Sequence, residues 1–481
     1  MIPPVCQSGF MPRKKQPTKP PVATNLDDAN ELIGALWDRL NDLEDRLNQN
    51  SRNSSRPPSS NGPSVASSAP AKKPTGRKRG AQSGHKGSKR MLADTVDETR
   101  TYYPDDTCAC GGAIAISDSP YRRHQVFDIP SQAFSVVEHQ LHQGQCCQCS
   151  KTVKATLPDN VNQGQMGNNL LAYVAMQSGQ FHQSISKIQQ QLEQNFGLSF
   201  SRGAISEAQG RVSSVLTPAY QDIKEMMRTE AVVHCDETRH QRGNENRWMW
   251  QVCTAELSCF MTHFSRGAWA AKKLLGDNPE NIVVTDQYAG YHYIDTDHRQ
   301  LCWAHILRNM NALAESWGTN KTYGTTLVRL IRILFQLQHR YESNELSEKR
   351  YRDRMEKLRI AWREQLELAS RRYVTPRYQN RCKLRLKHDD MCWVFLSHDG
   401  VLLTNNEAER SLRSYVLWRK GSYGVCSHRG ELFRQRILTI VETCRKQKLN
   451  PLNWLRAILK ATLNVLSSTR RLQSSLSIGP C

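Results

Sequence analysis

TEAVVHCDETRHQRGNENRWMWQVCTAELSCFMTHFSRGAWAAKKLLGDNPENIVVTD, residues 229–286, decides the fold. AVVHCDE is an apolar, β-prone run ending in acid, and RWMWQVCTA and CFMTHFS follow across short polar turns as its antiparallel partners. WAAKKLLG is helical and stops at Gly276, and NIVVTD is a buried-type strand that again ends in acid. Asp236 and Asp286 therefore each terminate a strand, with a three-stranded meander and one helix between them. If their strands are parallel neighbours, both carboxylates emerge at the same end of the sheet. The fold class expected is α/β with a mixed sheet.

An acid at the end of a strand is usually a solvated turn residue; the combination points to chemistry. Paired carboxylates suit phosphoryl transfer with two divalent cations roughly 4 Å apart, one activating the attacking oxygen and the other stabilising the leaving one. Hard oxygen ligands suit Mg²⁺ or Mn²⁺. A third acid has to come from elsewhere. The best source is TNNEAERSLRSYVLWRKGSYG, residues 404–424, where Glu407 and Glu409 both open a helix whose Arg410, Arg413, Arg419 and Lys420 are placed to meet phosphates.

The chain has 481 residues, enough for roughly three domains. Its 66 Lys and Arg against 45 Asp and Glu leave a formal charge of +21, spread along most of the length. That favours a polyanionic partner, nucleic acid before an acidic membrane surface. No run approaches the roughly 18 consecutive apolar residues of a membrane span, and no apolar signal core is present, so a soluble intracellular protein is expected. The 15 cysteines then read as reduced thiols, and only Cys108, Cys110, Cys146, Cys147 and Cys149 cluster as a metal site would.

Around this stretch the chain divides by composition. Residues 1–30 read as a disordered basic arm, and 31–50 as a coiled-coil candidate with Ile33, Leu36, Leu40, Leu43 and Leu47 on one seam. Residues 51–95 read as a disordered basic linker in which Arg77, Lys78, Arg79, His85 and Lys86 suit a phosphate backbone. Residues 96–160 hold Cys108-x-Cys110 and Cys146-x-x-Cys149, read as a zinc-ribbon-like module in which four thiolates stand in for a core. Residues 161–228 read as a helical, helix-turn-helix-like DNA-binding region, with Gly197 closing one helix and Ser201 capping the next. The α/β core then spans 229–305 and 401–460, interrupted by a helical insertion over 306–400, with a tail at 461–481. Cys302 and His305 lack a second ligand pair, so a structural or DNA-facing role fits them better than a metal.

From about residue 30 to 460 the chain resembles the insertion sequence 66 family of transposases, which have a ribonuclease H-like DDE catalytic core. The resemblance rests on Asp236-Glu237-Thr238, on Thr285-Asp286-Gln287-Tyr288-Ala289-Gly290-Tyr291, on Cys302-Trp303-Ala304-His305, and on Asn405 through Arg413 followed by Arg419-Lys420. Asn50–Asn61 and Gly80–Gly87 look like the family's linker motifs. Two departures are Thr404, where the family usually has Asp, and Thr107, where the cysteine pattern would have Cys. The resemblance implies Asp236, Asp286 and Glu409, rather than Glu407, as the metal-binding catalytic triad for Mg²⁺ or Mn²⁺. It implies a mechanism in which one strand is cut and the freed 3′-OH attacks target DNA, with Arg413, Arg419 and Lys420 on the backbone. The zinc would be structural. The partners implied are transposon ends and target DNA, a second copy of the chain and accessory proteins of the same element, in a bacterial cytoplasm at the nucleoid, without a membrane. Two alternatives stay open: a metal-dependent nuclease of the same core without strand transfer, and a non-catalytic zinc-containing DNA-binding protein.

Overall fold

The computed structural model describes residues 23–47, 92–102, 110, 118–120, 122–126, 134–145, 147–149, 152–158, 161, 162, 164–316, 318–371 and 375–462. The basic cluster from Arg77 to Lys86, together with Cys108 and Cys146, lies outside the described residues, as do the N-terminal arm to residue 22 and the tail from residue 463. The chain divides into two compact units, one holding residues 166–183 and 207–462 and the other holding 66–165 and 184–206.

The first helix, α1 (Leu26–Leu47), carries Ile33, Leu36, Leu40 and Leu43 exposed. In the second unit β1 (Gln143–Gln145) and β2 (Thr152–Lys154) form an antiparallel hairpin with Cys147 and Cys149 in the connection. α2 (Asn168–Gly179) is followed by α3 (Ile185–Phe196), which Ser184 caps and Gly197 ends in the left-handed conformation, at φ 65°. α4 (Arg202–Val215) starts at Ser201, whose Oγ accepts from Ala204 N at 3.1 Å. Both helix-end signals were legible because each satisfies otherwise unpaired backbone groups.

α5 (Thr217–Thr229) leads into the sheet: β3 (Val232–Arg242), β4 (Glu245–Cys253), β5 (Ser258–His263), α6 (Ala268–Leu275), β6 (Ile282–Thr285) and β7 (Arg299–Leu301). The order is β5-β4-β3-β6-β7. The first three strands are the expected antiparallel meander, and β3 pairs with β6 in parallel. One boundary differs from the sequence reading. β3 does not end at Asp236 but runs on to Arg242, because β4 pairs with it through Arg242↔Glu245. Polar alternation in ETRHQR hid a strand whose outer half is held by ion pairs instead of apolar burial.

The two sheet faces bury different cores. Val233 and Cys235 of β3 and Val283 of β6 pack with α5 and α6. Ile282 and Val284 face the other way, into a core shared with α7 (Trp303–Ala314), α8 (Gly318–Glu342), α9 (Glu348–Ala369) and α10 (Pro376–Lys387). This insertion is helical, as expected. In that shared core Trp303 is edge-on to Trp362 and Trp393 at ring separations of 5.3 and 5.2 Å.

α11 (Asn406–Ser422) and α12 (His428–Lys446) close the fold. An open edge on β5 would offer a row of unpaired amides to other chains. α12 covers it: Ser258 N donates to Thr443 Oγ1 (3.1 Å), Phe260 N to Thr439 Oγ1 (3.0 Å) and Thr262 N to Gln435 Oε1 (3.1 Å). Four residues of helix rise about 6 Å and two of strand about 6.8 Å, so the two ladders keep step. Among the described residues no helix is long and apolar enough to cross a membrane.

Candidate active site

Alternation along β3 sends His234, Asp236, Thr238 and His240 to one face and Val233, Cys235 and Glu237 to the other. The last parallel pair is His234↔Val284; the same offset, 284 − 234 = 286 − 236 = 50, brings Asp236 level with Asp286 on that face. Asp286 follows the last residue of β6, where the chain turns. Each carboxylate has one oxygen fixed by a backbone amide: Asp236 Oδ1 accepts from Glu237 N (2.9 Å) and Asp286 Oδ1 from Tyr288 N (2.8 Å).

Glu409 comes from the first turn of α11, which Asn405 anchors. The fully buried Asn405 donates Nδ2 to Cys235 O (2.8 Å), faces His234 Nδ1 with Oδ1 (3.3 Å), and donates its own amide to Cys302 Sγ (3.2 Å). Since Asn405 Oδ1 can only accept, His234 carries its proton on Nδ1. Farther along, Tyr415 meets His240 and Arg419 Nη1 donates to Thr238 Oγ1 (3.0 Å). Arg419 thus ties α11 to β3, while Arg413 and Lys420 are exposed.

The two glutamates of α11 occupy different surroundings. Glu407 is engaged by Lys446 and Arg410, which hold it below the usual carboxylate range in spite of its partial burial. Glu409 Oε1 lies 3.4 Å from Arg308 Nη2 and 3.6 Å from His305 Nε2, both on α7. Burial, followed by the charges of Glu237 and Asp286 and, more weakly, of Glu409, pushes Asp236 well above the carboxylate range. Glu237 is also raised, by burial and then by Asp286, although Tyr291 donates to its Oε2 and Arg266 Nη2 pairs with its Oε1 at 2.8 Å.

Among the described residues no set of three His, Cys, Asp or Glu side chains is gathered closely enough to hold a metal ion as it stands. The donor set nevertheless fits a hard divalent cation. Asp236 is buried among like charges whose repulsion a cation would relieve, and no described residue donates to the second oxygen of Asp236 or of Asp286.

Several residues at the site went unassigned in the sequence reading. Arg299, fully buried, donates to Thr285 Oγ1 (2.9 Å), Asp286 O (3.0 Å) and Tyr288 O (3.1 Å), clamping the turn that carries Asp286; burial draws its pKa down to about 10. Glu237, Tyr291 and Asn405 stood inside quoted motifs, but their roles needed the contacts. Arg266, Arg299 and Arg308 carried no signal in the sequence beyond their charge. Cys302 is a buried neutral thiol, its pKa pushed up to about 11 by burial, and it accepts from Asn405 N.

Residues 163–431, which include all three acids, match the transposase IS66 family. The chain belongs to that family. Residues 18–91 also match a family of unknown function, DUF6444. Two relatives come from Sinorhizobium fredii: the uncharacterized protein y4hP, 24% identical over 402 residues that take in 76% of this chain and 72% of that one, and the uncharacterized protein y4jD, 20% identical over 407 residues, 77% of each.

Proposed function

We propose that this IS66-family chain is a DDE transposase with a ribonuclease H-like core, in which Asp236, Asp286 and Glu409 hold the divalent cations for DNA strand cleavage and strand transfer. The observation that carries this reading is the parallel pairing of β3 with β6, whose offset sets Asp236 level with Asp286 on the sheet face that α11 approaches with Glu409. Asp236 and Asp286, each oriented by a backbone amide, would hold the cations. Glu409, which faces Arg308 and His305 from α11, would be the third residue to hold them. When bound, Mg²⁺ or Mn²⁺ supplies Lewis-acid stabilisation of charge on the phosphoryl oxygens and activation of the attacking oxygen. Arg413 and Lys420 grip the backbone from the exposed side of α11, and Arg419 holds that helix on β3.

Asp236→Asn, Asp286→Asn and Glu409→Gln should each abolish Mg²⁺-dependent cleavage of the element's ends while DNA binding persists. Glu407→Gln should retain cleavage. Cleavage that survives Glu409→Gln and is lost in Glu407→Gln would overturn this choice of third acid, and cleavage without joining of the 3′-OH to target DNA would make the chain a nuclease.

Cys108, Cys110, Cys146 and Cys149 hold a structural zinc, supported by the β1–β2 hairpin that carries Cys149 in its connection. The exposed seam of α1 pairs with a second copy of the chain.

A further inference from the structure

Away from the acids, α4 and α12 enclose a cavity of about 270 Å³ with a cationic wall. Arg211 comes from α4, Arg429 and Arg436 from α12, and the one carboxylate is Glu207, so the formal charge of the lining is 3 − 1 = +2. Arg429 lies close against Gly210 of α4: a Cβ there would sit 3.2 Å from Arg429 Cδ. Arg436 is anchored from below, donating Nη1 to Ser213 O (3.0 Å) and to Ser213 Oγ (3.1 Å). Its Nε is buried and meets no hydrogen-bond partner among the described residues. Burial also lowers its pKa. Arg429 stands in the first turn of α12, where the helix adds its own partial positive charge.

A part-buried guanidinium with an unused donor, two more at the rim and a helix start form a set made for an anion with several oxygens. We propose that this cavity seats one backbone phosphodiester of DNA, a contact separate from the acids that fixes the duplex against the α4–α12 face. The inference rests on the reading of the chain as a DNA-processing protein, and its charge of +21 favours DNA over free phosphate as the source.

The test is a salt titration of duplex binding by the full chain without divalent cations, comparing wild type, Arg429→Gln, Arg211→Gln/Arg429→Gln and Arg445→Gln. The last removes one charge from the far end of α12. The slope of log K against log salt should become shallower by up to roughly 0.9 in Arg429→Gln, since one phosphate contact is weakened or lost, and by no more than roughly 0.9 in the double variant, which empties the same seat. Arg445→Gln should leave it unchanged. Thermal unfolding of each variant checks that the fold is intact. Wild-type slope in both cavity variants, an equal change in Arg445→Gln, or no duplex binding by wild type would overturn the proposal. If inorganic phosphate raises the Tm of wild type but not of the double variant while their DNA slopes agree, the seat belongs to free phosphate and the DNA assignment falls. Because the titration reads binding alone, its failure leaves the cleavage test of the acids standing, and a chain that cannot cleave still reports on the cavity.

Discussion

Asn405→Ala asks whether the catalytic face depends on one buried amide. β6 leaves β3 at His234↔Val284, so the carbonyl of the next residue, Cys235, finds no strand on that side, and Asn405 Nδ2 supplies the missing donor at 2.8 Å. Alanine removes that bond and the one to His234 Nδ1, both buried. A lost hydrogen bond contributes about 1 kcal/mol and an orphaned buried polar group about 1–3 kcal/mol, so the expected destabilisation is about 2–4 kcal/mol. Urea denaturation of the full chain, followed by tryptophan fluorescence, measures it. Glu409 lies one helical turn away, and a shift of its carboxylate by about 1 Å should cost on the order of 100-fold in cleavage with DNA binding retained. Asn405→Asp keeps the size but not the donor, and places a charge near Asp236; it should lose at least as much. A destabilisation below about 1 kcal/mol together with wild-type cleavage would refute the assignment of Asn405 as the strut between β3 and α11.

Two further outcomes follow from buried contacts. Burial would raise Glu431, but His240, Arg247 at 3.5 Å, His428 at 3.4 Å and Arg242 at 3.0 Å pull it down to about 2. A depressed carboxylate stabilises the fold fully above its ordinary pKa of about 4.3 and loses that contribution as pH falls through the folded value. Glu431→Gln should therefore destabilise by about 2–3 kcal/mol at pH 7, discounted for the solvent-exposed partner His428, and the gap to wild type in urea titrations should narrow from pH 5 towards pH 2; a gap independent of pH would contradict the network. Gly324→Ala would put a Cβ 2.2 Å from Ala314 N, forcing α8 off the end of α7, and calorimetry should show a loss of at least about 1–3 kcal/mol; an unchanged Tm would contradict that packing.

The legibility of this protein follows the range of its interactions. The meander, the helical insertion, the left-handed Gly197 and the Ser201 cap all depend on neighbours a few residues apart, and period and turn chemistry report such neighbours. β3 was read short because its outer half is held by Arg242, Arg247, His240 and Glu431, a network assembled from two strands and a helix nearly two hundred residues later in the chain. The clamp of Arg299 on the Asp286 turn and the pairing of Glu237 with Arg266 and Tyr291 are also long-range polar contacts. Charged residues that are solvated elsewhere in the chain look the same in sequence.

The sequence by itself determined that Asp236 and Asp286 stand on or just beyond strands separated by the rest of a meander and a helix, that a long helical segment separates them from Asn405–Arg413, and which acids are candidates for the chemistry. Those conclusions rest on local periodicity and on motifs whose order is a property of the chain. Only the tertiary structure decided that β3 and β6 are parallel with an offset of 50, that Glu407 is occupied by Lys446 and Arg410 while Glu409 faces α7, and that Thr443, Thr439 and Gln435 close the free edge of β5. Each depends on which groups meet after the chain has closed its loops. Hydrogen bonds and ion pairs between residues far apart in the chain have no sequence period, so such meetings become visible only once the partners are side by side.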